Sequence, residues 1–248
     1  MIKLEVCANS LTSALAAQDG GAASVELCDN LNEGGTTPSY GQILMTRKRL
    51  NIKLHALIRP RVGDFLYSDL EFEVMKADIQ FCTQVGCDGV VTGILKTDGN
   101  IDIERCTQLL AIAKKSRLSV TFHRAFDMCA DLEQAMEDII GMGFDRILTS
   151  GGKSTAIEGA NIIAHLIKKA KGRVVIMPGG GINEANAADL IQFTKATEIH
   201  SSARVLVKSK MQFQNDRIIL GSNYIDEFNL EVTNAGKVKE IIKNANGV

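Results

Sequence analysis

The stretch TFHRAFDM, residues 121–128, decides the fold because it ends a strand in polar groups. It follows residues 118–120, LSV, an apolar run that is typical of a buried strand. His123, Arg124 and Asp127 come directly after this run, although charged groups are costly to bury unless they are paired. The pattern indicates a strand whose carboxyl end opens onto a polar site. The fold then depends on whether other strands end in the same way.

The rest of the chain alternates short β-type runs with stretches of helical spacing. Strand starts lie roughly 21 to 36 residues apart, which is about the length of a βαβ unit. This alternation predicts a parallel sheet, and eight units in 248 residues suit a closed (β/α)₈ TIM barrel. The alternative is an open doubly wound sheet, but the first turn, CANSLTS, lacks the glycines of a dinucleotide-binding fingerprint. The strands are predicted at residues 3–8, 24–28, 53–59, 89–92, 119–123, 146–150, 174–178 and 198–202.

The composition argues against several classes of protein. A net charge of −1 and the absence of Trp leave no basic patch or base-stacking cluster for nucleic acid. No run approaches the ~20 apolar residues of a membrane span, and the amino terminus does not resemble a signal peptide. The 6 cysteines are scattered without a CxxC pair, so they indicate neither a zinc knuckle nor a disulfide framework. We therefore expect a cytoplasmic protein in which residues 1–248 form one domain.

Polar and aliphatic side chains alternate within the predicted strands. In the first strand Leu4 and Val6 oppose Glu5 and Cys7, and later strands repeat the pattern. Because alternate residues of a barrel strand face the lumen, we expect the polar set there and the aliphatic set against the helices. Active sites of this fold lie at the carboxyl ends of the strands, a ring that we call the rim.

Carboxylates and imidazoles recur in and just after the strands, together with arginines. Imidazole titrates near neutral pH, so histidines beside carboxylates are the usual equipment for proton transfer. The structural alternative is a satisfied ion-pair network that fills the barrel. The candidate acids and bases are Glu5, Glu26, His55, His123, Asp127 and His200, and the candidate anion-holding arginines are Arg59, Arg61 and Arg124.

Small residues follow the last three strands in LTSGGKS (148–154), PGGGI (178–182) and HSSAR (200–204). Backbone N–H groups in such loops can approach an anion closely, and the loops after strands seven and eight commonly bind phosphate in this fold. Tight turns also need glycine, so a purely structural role is the alternative. The candidate anion-binding residues here are Ser150, Gly151, Gly152, Gly180, Gly181 and Ser201.

Cys7 and Cys28 occupy equivalent positions at the ends of the first two strands. Adjacent strands are ~4.8 Å apart, which would place the two sulfurs within about 4–6 Å of each other. Paired thiolates suit Cu(I), so the pair is a candidate copper site with His55 as a candidate further ligand. A reduced and inert cysteine pair in the core is the alternative.

Motifs from every part of the predicted barrel together resemble the CutC family of copper homeostasis proteins. The resemblance implies a cytoplasmic TIM barrel that is often oligomeric, a homodimer for example, and that binds copper, and Cys7 and Cys28 match cysteines in the family's motifs. It is strongest over residues 2–204, and residues 205–248 are expected to be a carboxyl-terminal extension with a helix. The motifs are EVCANS, VELC, EGGTTPS, IRPRVGDFLYSDLE, VTGIL with DGNID, TFHRAFD, LTSGG, GGGI and EIHSSA.

Three functions are compatible with these residues. The first is a cytosolic protein that binds Cu(I) through Cys7 and Cys28. The second is an enzyme that acts on a small anionic, phosphorylated metabolite, with acid–base residues and anion-binding loops at the rim. The third is a binding or scaffold module, for which the loop RVGDFLYSDLE is a candidate contact with another subunit.

Overall fold

A computed structural model of the chain describes residues 1–215, 217–218 and 227–247. Eight parallel strands form one sheet, and except for β8 beside β1 each neighbour in the sheet is also a neighbour in the chain. The strands are β1 (Lys3–Ala8), β2 (Ser24–Leu27), β3 (Lys53–Leu57), β4 (Gly89–Thr92), β5 (Ser119–Phe122), β6 (Arg146–Thr149), β7 (Val175–Pro178) and β8 (Glu198–Ser201). β8 pairs with β1. A parallel bridge between His200 of β8 and Gly179, the residue directly after β7, closes the ring. The (β/α)₈ TIM barrel is confirmed, and the open doubly wound sheet is wrong.

Helices follow the strands and cover the outside of the barrel. Their ends carry ordinary start and stop signals: Ser68 and Glu71 form a capping box, Asp131 caps its helix, and Gly143 ends the same helix at φ 93°. The helices are α1 (Leu11–Asp19), α2 (Tyr40–Arg49), α3 (Asp69–Val85), α4 (Ile103–Lys115), α5 (Leu132–Met142), α6 (Ala160–Ala170), α7 (Ala187–Thr194) and α8 (Ala235–Ala245). Among the described residues, no helix is long and apolar enough to cross a membrane.

The main apolar core lies between the strands and the helices. Leu4, Val6 and Val25 of the strands are fully buried, in one cluster with helix residues such as Met75 and Leu109. A second, small apolar cluster contains Cys7, Cys28, Leu57 and Val91, which have the opposite parity. The lumen therefore holds polar and thiol side chains, while the aliphatic set packs against the helices.

The segment after β8 supplies the eighth helix of the barrel. It first forms an antiparallel pair of strands, β9 (Arg204–Lys208) and β10 (Asn229–Thr233). α8 then packs against α1 and α7, with Val238 and Ile241 fully buried. This helix reaches the amino terminus, because the Ile2 N–H donates to Asn246 Oδ1 at 2.8 Å.

We expect Gly20→Ala to loosen α8 and to lower the free energy of unfolding by about 1–3 kcal/mol, the range for overpacked sites. Gly20 has an ordinary φ of −77°, so its backbone tolerates alanine. A Cβ there would lie 2.5 Å from Val238 Cβ and 2.7 Å from the Ala235 carbonyl oxygen. Urea unfolding measures the effect, and Gly141→Ala in α5 is the matched control, because a Cβ added there would meet no atom within 4 Å apart from its own helix backbone and chain neighbours. A midpoint for Gly20→Ala at or above the wild-type value would contradict this packing.

Candidate functional site

The lumen contains two layers of polar side chains, and the lower layer lies at the amino ends of the strands. Glu5 Oε2 accepts hydrogen bonds from Arg146 Nη1 at 3.1 Å and from Ser24 Oγ at 2.8 Å. Arg146 Nη2 also lies 2.8 Å from His55 Nδ1, and His55 contacts Glu5. Burial opposes ionisation of Glu5, but the Arg146 guanidinium holds the pKa of that carboxyl well below its usual value. These residues line a cavity of ≈ 350 Å³ that we call the amino-end cavity.

Glu5 and His55 are therefore not on the rim, where the sequence analysis expected them. Both have the expected lumen parity, but they come near the start of β1 and β3. Two residues along a strand move a side chain by about 6.6 Å, so Glu5 lies one layer below Cys7. The alternation of polar and aliphatic residues predicts which face of the sheet a side chain lies on, but it does not predict how far along the barrel axis the side chain lies. The placement of His55 also removes it as a ligand for the sulfur pair.

His200 connects the two layers. Its Nδ1 lies 3.5 Å from Glu5 Oε1, and its Nε2 lies 3.4 Å from Glu26 Oε2. The parallel register of β1 and β8 causes this contact, because it pairs Glu5 with His200. Burial lowers the pKa of His200, but the negative charge of Glu26 outweighs it, with help from Cys7, and the pKa is raised well above the usual value. Burial raises the pKa of Glu26 well above its usual value, and the nearby Cys7 adds to this effect.

The two cysteines form a sulfur pair at the floor of the upper layer. Cys7 Sγ and Cys28 Sγ are 3.0 Å apart, and Cys28 Sγ lies 3.5 Å from Glu26 Oε2. The Cys28 thiol donates to Cys7 and lowers the pKa of Cys7 to about 5, whereas burial raises the pKa of Cys28 well above its usual value. These opposite shifts favour one thiolate and one thiol in the pair at neutral pH. Ligand atoms of Cys7, Glu26 and His200 all lie within 4.8 Å of one another.

A cavity of ≈ 320 Å³ opens above the sulfur pair, and we call it the rim cavity. Arg59 and His123 line it and are both buried. Arg59 donates to the carbonyls of Glu33, Gly35 and Gly63, at 3.0, 2.6 and 2.7 Å, and so joins two loops. Burial, together with the charge of Arg59, lowers the pKa of His123 to about 3, so His123 is neutral at physiological pH.

Arg124 and Asp127 organise the loop after β6. Arg124 Nε donates to Asp127 Oδ2 at 2.8 Å. Asp127 Oδ1 accepts from the backbone N–H groups of Ser150, at 3.0 Å, and Gly152, at 2.9 Å. The Gly151 N–H donates to Thr149 Oγ1 at 2.8 Å. These three amides are thus already paired within the chain, and an anion would have to displace those partners to use them.

The other proposed anion-binding residues lie on both sides of the rim. Gly180 and Gly181 line the rim cavity at φ 99° and 76°, values that favour glycine, and Arg124 and Ser201 line it as well. Ser201 Oγ donates to the Ile182 carbonyl at 2.6 Å. Arg61 turns away to the surface, where it binds Asp64 at 2.9 Å and Glu71 at 2.6 Å, because it lies beyond β3 in a loop.

Sequence reasoning missed Arg146, Phe65 and Arg204. Arg146 begins β6 with the same parity as Leu148 and Ser150, so strand alternation was a signal for its place in the lumen. Phe65 and Arg204 also line the rim cavity, and Phe65 does so from a loop, where no periodic signal exists. Arg204 comes from β9, beyond the eight barrel strands.

We expect Cys7 to be alkylated by iodoacetamide at a rate that rises with pH through about 5 and is then flat. The thiolate is the nucleophile, so a lowered pKa moves the rise well below the pH of about 8.5 at which an unperturbed cysteine is half ionised. Mass spectrometry of the labelled residue gives the rate at each pH. Cys28→Ala removes the hydrogen-bond donor and should move the midpoint upward. A rate for wild-type Cys7 that keeps rising above pH 8 would contradict the lowered pKa of Cys7.

Comparison with known proteins identifies relatives over nearly the whole chain. A sequence model of the CutC family matches residues 2–205. A CutC family protein of Chromobacterium violaceum is 50% identical over 238 residues, which cover 96% of this chain and 96% of that protein. The human copper homeostasis protein cutC homolog is 48% identical over 239 residues, which cover 96% of this chain and 87% of that protein. A CutC crystal structure from Streptococcus agalactiae aligns with a TM-score of 0.77 and 36% identity, covering 82% of this chain and 99% of that chain.

Proposed function

Because the chain belongs to the CutC family, whose human member is named a copper homeostasis protein, we propose that it binds Cu(I) at the sulfur pair. The observation that carries the proposal is the 3.0 Å separation of Cys7 Sγ and Cys28 Sγ beneath the rim cavity. Cu(I) is a soft ion that favours thiolates, and it tolerates low coordination numbers. Copper is here the cargo that the protein binds.

His200 and Glu26 complete the donor set in this proposal. Cys7, Glu26 and His200 present a sulfur, an oxygen and a nitrogen within 4.8 Å of one another. The low pKa of Cys7 favours its thiolate, so the Cys28 proton has to leave when both sulfurs bind the ion, and the raised pKa of His200 means that a proton also leaves its imidazole when that nitrogen binds. The buried position, with Cys28 1% exposed, would protect bound Cu(I) from oxidation.

A competition titration against bathocuproine disulfonate under anaerobic, reducing conditions tests the proposal. We expect the protein to withdraw one equivalent of Cu(I) from the chelator. Failure to take Cu(I) from the chelator at any ratio would end the proposal.

An enzyme that acts on a small anionic metabolite is the second candidate function. The size of the rim cavity favours it, because ≈ 320 Å³ far exceeds the space that one ion needs. Glu26 and His200 would serve as acid and base, with Arg124, Gly180 and Gly181 around the anionic group. Screening phosphorylated and carboxylated metabolites by thermal shift on the metal-free protein tests this candidate, and a flat screen counts against it.

We also propose that the protein acts in the cytoplasm as a homo-oligomer. Leu66 and Leu70 of the loop RVGDFLYSDLE are 43% and 81% exposed, which leaves apolar side chains for a contact between subunits. Light scattering coupled to size-exclusion chromatography gives the mass in solution. A monomeric mass at every concentration would exclude the oligomer.

A further inference from the structure

Two buried hydrogen-bond donors in the wall of the rim cavity have no partner among the described residues. They are Arg59 Nε and His123 Nε2. The residues are only 5% and 4% exposed, so bulk water does not satisfy them well. A buried donor left unpaired costs about 1–3 kcal/mol, and more when the group is charged. Such a cost indicates that a bound molecule supplies the acceptor.

The tautomer of His123 follows from its other nitrogen. Nδ1 accepts a hydrogen bond from the Ala125 backbone N–H at 3.2 Å, so Nδ1 carries no proton. In a neutral imidazole the proton must then lie on Nε2, which is the donor. His123 therefore carries a fixed N–H within the wall of the cavity.

Arg59 adds a positive charge that no carboxylate of the described residues pairs. Both of its terminal nitrogens donate to backbone carbonyls, and the guanidinium also interacts with the Tyr67 hydroxyl, but Nε has no hydrogen-bond partner among the described residues. Phe65 contacts both groups: its ring lies 4.9 Å from the His123 ring and 5.1 Å from the Arg59 guanidinium carbon. Arg59, His123 and Phe65 thus form one wall of the rim cavity, with two donors, one unpaired cation and an aromatic face.

We propose that this wall binds the carboxylate of a small organic molecule, with Arg59 Nε–H and His123 Nε2–H donating to its oxygens. A carboxylate matches the wall because it is planar and charged and has two acceptor oxygens. A phosphate needs more donors than two and fits the glycine side of the cavity better. The apolar part of the ligand packs on Phe65, and the cavity has room for about ten water-sized groups. The inference is independent of copper binding, because neither donor belongs to the sulfur pair or its neighbours in the donor set.

Benzoate and benzamide are suitable probes, because they have the same size and differ in the carboxylate. The metal-free, reduced, ¹⁵N-labelled protein is titrated with each while the Nε2–H signal of His123 is followed by NMR. We expect a saturable downfield shift of this signal with benzoate and at least about tenfold weaker binding of benzamide. The signal of His165, an exposed histidine on α6, should not move and serves as the internal control. Equal shifts with both probes, or none with benzoate, would overturn the proposal.

His123→Asn provides the second test, since an asparagine keeps an acceptor near Nδ1 for the Ala125 N–H and loses the Nε2 donor. We expect it to weaken benzoate binding at least about tenfold, whereas His123→Gln, which restores an N–H near Nε2, recovers part of the affinity. His165→Asn is the matched surface control. Benzoate binding by His123→Asn at wild-type strength would place the ligand elsewhere. Failure of these tests leaves the chelator titration untouched, because they are made on the metal-free protein.

Discussion

Cys7→Ser should weaken Cu(I) binding by more than about a hundredfold, because even groups that only orient a ligand are worth 10–100-fold in metal affinity. Serine keeps the size of the side chain but offers a hard, neutral oxygen, which Cu(I) disfavours. The loss should be as large for Cys28→Ser, since the sulfurs lie 3.0 Å apart and would bind the ion together. The chelator titration measures both variants.

The best control for these variants removes a thiol outside the pair. Cys129→Ser does so, because Cys129 follows the 3₁₀ turn after β5 and its thiol lies 3.6 Å from the Ala125 carbonyl oxygen. Its copper affinity should equal that of the wild type. If Cys7→Ser and Cys28→Ser both bind Cu(I) as tightly as the parent, the sulfur pair is not the site.

Arg146→Met should lower the free energy of unfolding by about 3–5 kcal/mol, the usual cost of leaving one member of a buried ion pair without its partner. Glu5 is 2% exposed and would remain in the lumen without its guanidinium neighbour. At this chain length the expected loss corresponds to a melting temperature lower by about 6–20 °C. Thermal and urea unfolding at pH 7 measure it.

The loss should shrink as the pH falls. In the wild type the pKa of Glu5 is lowered, so its ionised form stabilises the fold above the unfolded value near 4.3 and this contribution fades in acid. Without Arg146, burial raises that pKa, and acid then neutralises the stranded carboxylate. Arg173→Met, which breaks a surface pair with Glu137 at 2.6 Å, is the control and should change the midpoint little. A deficit that is independent of pH would show that Arg146 acts by packing alone.

The sequence was sufficient to predict the strands and the side of the sheet that each residue faces. Both follow from local rules: β1 and β4 have the predicted bounds, and alternation assigned Glu26, Cys28 and His200 to the lumen. The proximity of the two sulfurs was also predictable, because equivalent positions on neighbouring strands must be close in a parallel sheet.

Local sequence rules could not predict the position of a side chain along the barrel axis or the partners of residues in loops. His55 shares the parity of Arg59, yet His55 binds Glu5 at the amino end while Arg59 lines the rim cavity. The stagger between strands, which only the closed ring fixes, decides which residues meet across the lumen. Arg61 shows the same limit for loops, since its partners Asp64 and Glu71 lie in the loop and at the start of α3.

The boundary between β7 and β8 has a consequence for how ligand and scaffold act on each other. The ring joins there through the bridge at Gly179 and His200, whereas β1 and β8 share a ladder of four residue pairs. His200 on one margin and Gly181 on the other both face the rim cavity. A ligand that contacts both His200 and Gly181 would hold β7 and β8 together where the ring has its fewest backbone pairs. Amide hydrogen exchange near residue 179 should then slow when the cavity is filled, so that occupancy can be read from the backbone alone.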